Sequence, residues 1–170
     1  FLGKTIGIVG FGSIGRVVAK KAHAFGLQCL AYDPMLSGSS VEFDGLSVPL
    51  LSLGDLLAKS DAVTLHLPFL PETKNLFNAA TLDQMKKGAC LINTARGGIV
   101  DENALAERLK SGVIGGAAID VFSAEPAKDL KHFVGIENLI LTPHIAGVTH
   151  ESNERVSQMI ADEVNRFFGA

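Results

Sequence analysis

The chain is expected to fold as one α/β domain, a Rossmann-like doubly wound parallel sheet with helices on both faces. Three features of the sequence lead there. Short apolar runs alternate with stretches of helical periodicity along the whole chain, as in successive βαβ units. The first apolar run ends in a glycine-rich turn, Gly10-Phe11-Gly12-Ser13-Ile14-Gly15. The unusual polar residues of an otherwise apolar chain stand almost without exception at the carboxyl ends of those runs. Size and composition agree: 170 residues, 47% hydrophobic and 19% charged, make about one domain with a sizeable core and exclude a disordered chain.

The first strand spans residues 5–10. A helix follows from about Ser13, with Ile14, Val17, Val18, Ala22 and Phe25 on one face and Gly26 placed to stop it. Residues 28–33 form the second strand, ended by Pro34, and residues 35–50, rich in Ser, Gly and Pro, read as loop with room for a short strand. Ser52 caps a helix over Leu53–Lys59, with Asp55 at capping-box spacing. Residues 62–67 are a strand stopped by Pro68, Thr81 and Gln84 have capping-box spacing for a short helix, and residues 89–94 are the next strand. Asp101 caps a helix running to about Lys110, residues 116–121 and 139–142 are the last strands, and Val156, Ile160, Val164 and Phe167 mark a final amphipathic helix from about His150. Phe167 and Phe168 are expected in the core, although apolar residues near either terminus also suit a face turned toward a missing domain. The thiols of Cys29 and Cys90 lie in apolar stretches, with no CxxC and no histidine at metal spacing, and are expected to be buried and inert.

Fifteen basic and eighteen acidic residues give a net charge of −3 with no long run of either sign. That removes the cationic face needed to bind nucleic acid or an anionic membrane. No apolar run approaches the roughly 20 residues of a membrane span. Nothing calls for an oxidising compartment, so the cytoplasm is the expected location. The start, Phe1-Leu2-Gly3-Lys4-Thr5, lacks an initiator Met and a signal-peptide layout, as expected of a piece cut near a domain boundary.

In open parallel sheets, ligands bind beyond the carboxyl ends of the strands, where the strand order reverses. Those ends carry Gly10 onward, Asp33, His66, Thr94-Ala95-Arg96, Asp120 and Pro143-His144. Gly10 allows a tight turn, Gly12 lets a pyrophosphate approach the backbone, and Gly15 lets helix and strand pack closely. The N–H groups and positive dipole end of the helix then hold phosphate. Asp33 ends the next strand at about the distance required of a ribose-binding carboxylate. It would repel a 2′-phosphate: two unit charges about 4 Å apart at a surface-like dielectric interact by roughly 4 kcal/mol before screening. Tyr32, Pro34 and Met35 supply no cation to receive such a phosphate, so NAD is favoured over NADP. Arg16 reads as an exposed helix arginine. Arg96, between a strand and Gly97-Gly98, suits a carboxylate through its planar fork. A histidine side chain titrates near neutrality, and a carboxylate such as Glu125 beside His144 would hold a proton ready for a carbonyl oxygen. Spacing alone leaves a second reading open, with Arg96 and Glu125 as surface charges and His144 as a satisfied strand-end residue. His66 divides equally between the cleft and a structural role, while His23, His132 and His150 read as solvated.

Several of these segments together resemble the D-isomer-specific 2-hydroxyacid dehydrogenases, a family that includes D-3-phosphoglycerate dehydrogenase, formate dehydrogenase and hydroxypyruvate reductase. They are residues 7–15, His66-Leu67-Pro68 with Pro71-Glu72-Thr73, residues 92–101, Asp120-Val121-Phe122 through Glu125-Pro126, and residues 142–146. The resemblance implies that His144 is the acid/base at the carbonyl oxygen, paired with and oriented by Glu125, and that Arg96 grips the substrate carboxylate. It implies that Asp120 bonds the nicotinamide end, that Ser13 and Ile14 meet the pyrophosphate, and that Leu67, Thr94, Ala95 and Gly147 line the cofactor cleft, where Arg96 and His144 also meet the cofactor. It also implies a small 2-hydroxy or 2-oxo acid as substrate and a homodimer formed through this domain. The family's substrate domain has no counterpart in residues 1–170, so these are expected to bind NAD(H) with little or no turnover of their own. Two other readings share the fold. An NAD(H)-sensing corepressor-like module is one, separable by turnover tests on 2-oxo acids. A methyltransferase using S-adenosylmethionine is the other, and it offers no use for Arg96, Glu125 and His144 together.

Overall fold

The computed structural model describes residues 2–169, so Phe1 and Ala170, the ends of the domain expected over 1–170, lie outside the described residues. Six parallel strands form the sheet: β1 (Thr5–Val9), β2 (Gln28–Tyr32), β5 (Ala62–Leu65), β6 (Cys90–Asn93), β7 (Gly116–Ile119) and β8 (Leu139–Leu141). Their order is β2-β1-β5-β6-β7-β8. Each stops one or two residues short of the sequence expectation, which leaves the polar strand-end residues in loops. The loop expected over residues 35–50 holds a hairpin, β3 (Ser40–Phe43) and β4 (Leu46–Pro49), turned at Asp44 and Gly45 with φ of 47° and 76°. Leu50 then bridges Ala31 in parallel, extending the sheet beyond β2 by one residue. From there α2 (Leu53–Lys59) carries the chain back to β5 on the other side of β1. The reversal therefore falls between β1 and β5, where a doubly wound sheet opens a crevice.

Side chains of β1 alternate between two cores, as a strand's period of two requires. Val9 joins the larger core with Val63 and Leu65 of β5, Leu91 of β6 and Leu56, Leu57, Leu105 and Leu109 of the helices α2 and α4 (Glu102–Ser111). Ile8 joins a smaller one with Phe11, Val48 and Ala19 of α1 (Ser13–Ala24). Strands buried on both faces read as continuous apolar runs, which is why they were legible.

Local chemistry sets the helix ends. Ser52 accepts from the Asp55 N–H, Asp101 accepts from the Ala104 N–H, and α4 ends at Gly112 in the left-handed region, with φ of 73°. The short helix α3 (Ala79–Leu82) corrects the expectation at Thr81: Asn78 is the cap, and Thr81 sits inside the helix with its N–H bonded to the Asn78 side chain. The last helix, α5 (His150–Phe168), opens on a capping box between Thr149 and Ser152 and buries no residue. Phe167 and Phe168 are 83% and 76% exposed, which overturns their assignment to the core. Cys29 is half-buried and Cys90 exposed, not both buried as expected, because Cys90 opens β6 at the sheet's amino edge. No helix among the described residues is long and apolar enough to cross a membrane.

At the amino edge, Asp61 ties the start of β5 to the start of β1. Its carboxylate meets Lys86 Nζ at 2.7 Å and accepts the Thr5 N–H at 2.9 Å. These two contacts, the lysine's first, lower its pKa to about 2. A depressed carboxyl stabilises the fold above its unfolded-state value and loses that contribution as pH falls through the folded one. Asp61→Asn is therefore expected to melt below wild type at neutral pH, with the two melting curves converging between about pH 4 and pH 2.

Candidate active site

The glycine-rich turn is built by close backbone approach. A β-carbon on Gly10 would stand 2.7 Å from the His66 carbonyl, and one on Gly15 would stand 2.2 Å from the Gly10 carbonyl oxygen. Gly12 differs: a β-carbon there meets nothing within 4 Å. It lies open and exposed at the N-terminus of α1, which no side chain caps. A helix start leaves N–H groups without intrahelical partners, so open backbone at Gly12, Ser13 and Ile14 fits a pyrophosphate.

Phe11, between the two glycines, is held by three groups. Its N–H donates to Asp33 Oδ2 at 2.8 Å, and its carbonyl accepts from Arg16 Nε at 3.3 Å. Its buried ring meets Phe43 of the hairpin edge-on at 5.5 Å. Arg16 thus lies half-buried over both rings, about as close to Phe43 (5.8 Å) as to Phe11 (5.9 Å), rather than exposed as expected. Asp33 also accepts the Met35 N–H at 2.9 Å. Two bonds leave a carboxylate with further lone pairs for ribose hydroxyls.

The remaining site residues follow the other strands at the same sheet edge. Leu67 is buried beyond β5, beside half-buried His66, whose Nε2 lies 3.1 Å from Thr64 Oγ1 and whose pKa burial lowers. Beyond β6 come exposed Thr94, buried Ala95 and exposed Arg96. Their turn is shaped by Asn93, a residue to which the sequence reading gave no role. It is 1% exposed; its Oδ1 accepts the Ala95 N–H and its Nδ2 donates to the Arg96 carbonyl, both at 3.1 Å. An amide closing an apolar strand just before a turn was the available signal. Arg96 gives one guanidinium N–H to the Ala95 carbonyl at 2.6 Å.

Asp120, beyond β7, is 3% exposed and accepts from Thr142 Oγ1 at 2.5 Å and from the N–H groups of Ile145 and Ala146 at 2.9 and 3.0 Å. Burial opposes its charge, but these donors outweigh burial and hold the carboxyl below its ordinary value. The loop after β8 is thereby fixed. Within it His144 has φ of 55°, a strained value for a side-chain-bearing residue, and donates its N–H to the Asp120 carbonyl at 2.8 Å. Gly147, further along, is exposed.

His144 Nδ1 lies 2.6 Å from Glu125 Oε2, while Glu125 Oε1 accepts the Phe122 N–H at 2.9 Å. The histidine bond first, and the backbone bond second, lower the Glu125 pKa, so it is ionised at neutral pH. With Nδ1 donating to a carboxylate, Nε2 is the nitrogen left to exchange a proton. Arg96, Glu125 and His144 line one cavity of about 310 Å³, together with Phe69 and Ser123. The structure thus brings together the three residues singled out as catalytic. His23 and His150 are exposed as expected, but His132 is half-buried against Glu102 rather than solvated. Among the described residues no cluster of His, Cys, Asp or Glu could hold a metal ion.

Comparison with known proteins matches residues 1–146 to the family described as D-isomer specific 2-hydroxyacid dehydrogenase, NAD binding domain. An (S)-sulfolactate dehydrogenase of Chromohalobacter salexigens is 47% identical over 98% of this chain and 54% of its own length. A glycerate dehydrogenase of Methylorubrum extorquens is 43% identical over 97% of this chain and 50% of its own. The crystal structure of NAD-dependent formate dehydrogenase from Staphylococcus aureus in complex with NAD superposes with a TM-score of 0.85 at 38% identity, covering 98% of this chain and 49% of that one. The chain spans about half the length of these relatives. With the reversal point, the open glycine turn and the strand-end residues all at one sheet edge, the chain belongs to the D-isomer-specific 2-hydroxyacid dehydrogenases and is their NAD-binding domain.

Proposed function

We propose that this domain serves an enzyme that transfers a hydride between NAD(H) and a D-2-hydroxy acid or its 2-oxo counterpart. The observation that carries the reading is the 2.6 Å His144–Glu125 pair sharing a cavity with Arg96. The nicotinamide, when bound, supplies or accepts the hydride. In the reducing direction His144 gives its Nε2 proton to the substrate's carbonyl oxygen, and in the oxidising direction it takes that proton back. Glu125 fixes the imidazole's orientation by accepting from its Nδ1. Arg96 grips the substrate carboxylate with the guanidinium edge that Ala95 leaves free. Gly10, Gly12, Ser13, Ile14 and Gly15 would hold the pyrophosphate, Asp33 the adenosine ribose, and Leu67, Thr94, Ala95 and Gly147 the walls of the cleft. Asp120 would meet the nicotinamide end while fixing the loop that carries His144.

The rest of the substrate pocket belongs to a second domain, so residues 1–170 alone should turn over substrate weakly or not at all. The two free cysteines, one exposed, suit a reducing cytoplasm. Exposed apolar residues along α5, among them Val156, Ile160 and Val164, suit pairing of two copies through this domain.

The test is an NADH titration of the chain by nicotinamide fluorescence, which no tryptophan obscures, with NADPH in parallel. NADH should bind saturably and NADPH more weakly. Asp33→Ala should weaken NADH by about tenfold or more, equivalent to about 1.4 kcal/mol, and so narrow the gap. It removes a ribose acceptor and also frees the Phe11 N–H that holds the turn. NADPH binding as tight as NADH in the wild type would contradict the assignment of Asp33.

A further inference from the structure

Glu102, in the first turn of α4, gathers more of the site's support than its place in that helix requires. Its Oε1 accepts both the backbone N–H of Ser123, at 2.6 Å, and the Ser123 hydroxyl, at 2.7 Å. Its Oε2 lies 3.4 Å from Nε2 of His132, a buried nitrogen with no hydrogen-bond partner among the described residues. Ser123 and His132 bracket an irregular stretch whose residues 123–129 are all exposed, and Glu125 lies inside it.

The two ends of that stretch meet at a single carboxylate, the closed-base geometry of a compact surface loop. Phe122 and Phe133 anchor the ends in the core. Polar anchoring is sparse. Among the described residues, the hydrogen bonds that tie residues 123–130 to the domain beyond their immediate neighbours are two to Glu102 and one to His144. Bonds to a carboxylate are short and about twice as strong as neutral ones. Here the Glu102 side chain is only 16% exposed, which limits competition from water.

We propose that Glu102 is a positioning residue for the acid–base pair: by tying the base of the 123–132 loop it holds Glu125 against His144. The proposal rests on the reading of Glu125 and His144 given above. Glu102 reaches neither the cavity lined by Arg96 and His144 nor the glycine turn, so its effect must pass through the loop.

The Glu125 carboxyl, lowered by His144, reports the closeness of the pair. Its titration can be followed by carboxyl-edited NMR on the 170-residue chain. Glu102→Ala should raise the Glu125 midpoint toward the ordinary glutamate value, by about half a pH unit or more. Glu102→Gln keeps an acceptor for the Ser123 N–H and should recover most of that shift. A residue that only starts α4 would lower the melting temperature without moving Glu125. If Glu102→Ala does not fold, Ser123→Ala, which removes only the hydroxyl bond, should give a smaller shift of the same sign. An unmoved Glu125 midpoint in the folded variant overturns the proposal. His144→Ala separates the two readings, since it removes the bond to Glu125 and must itself raise the Glu125 midpoint. If it does not, the pairing of Glu125 with His144 fails rather than the tether.

Discussion

Replacing His144 by glutamine is expected to lower 2-oxo acid turnover, in the enzyme proposed above, by about 10²- to 10⁴-fold, the usual contribution of a positioned general acid or base, while NADH binds almost as before. The two effects separate because the sheet separates them. The glycine turn follows β1 and Asp33 follows β2, whereas His144 follows β8 at the opposite end of the strand order. Glutamine keeps a polar group of similar reach that can still bond Glu125, so the loop stays in place and the exchangeable proton is what goes. Glu125→Gln should cost less, because its amide oxygen can still accept from either the Phe122 N–H or the His144 ring. The pH profile carries the same logic. Since His144 lowers the Glu125 pKa, the carboxylate stays charged through the neutral range, and the pair is lost only as pH falls below the ordinary glutamate value. Stopped-flow hydride transfer with a panel of 2-oxo acids, beside an NADH titration, measures both quantities. A His144→Gln enzyme with wild-type turnover would remove this histidine from the chemistry.

Much of this was legible in sequence because the decisive signals are local. The glycine turn, the apolar β-strands and the caps at Ser52 and Asp101 each depend on residues within a few positions of one another. The clustering of Arg96, Asp120 and His144 followed from a rule of parallel sheets: whatever ends the strands shares an edge. Where the reading failed, a distant partner made the decision. Asn78 and Thr81 both have capping chemistry, but Phe77, fully buried and bridged to Val100, fixes the chain in extended form just before Asn78 and starts the helix there. The hairpin over residues 40–49 did carry a local signal, Asp44-Gly45 between alternating apolar residues, which the Ser- and Gly-rich surroundings masked. Local sequence makes Arg16 an exposed helix arginine because Phe43, which it covers, is far along the chain. Periodicity showed that α5 has an apolar stripe, and nothing in that pattern says what covers it. Glu102 was invisible for a similar reason: its partners, Ser123 and His132, are brought to it only by the fold.

Gly97→Ala tests the fold and the site with a single methyl group. A β-carbon on Gly97 would stand 1.7 Å from the carbonyl oxygen of Phe122 and 2.9 Å from the Ser123 nitrogen. Both are backbone atoms, so no rotamer change relieves the overlap and the two loops must part by more than about 1 Å. Overpacking a well-filled site costs about 1–3 kcal/mol where side chains can adjust, and this site should reach the upper end. Gly112→Ala is the control: its β-carbon meets nothing within 4 Å, and its cost is only that of a left-handed φ of 73°. The loops forced apart by Gly97→Ala carry Arg96 on one side and Phe122–Glu125 on the other, and both line the cavity with His144. Displacing catalytic groups by about 1 Å can cost roughly 10²-fold in rate. The expected result is therefore a lowered melting temperature together with a loss in kcat/KM of about that size, while NADH affinity, which draws on the glycine turn and Asp33 beyond β1 and β2, falls less. Were Gly112→Ala to cost as much as Gly97→Ala in both stability and kcat/KM, the close approach of the two loops would not be what positions Arg96 against the acid–base pair.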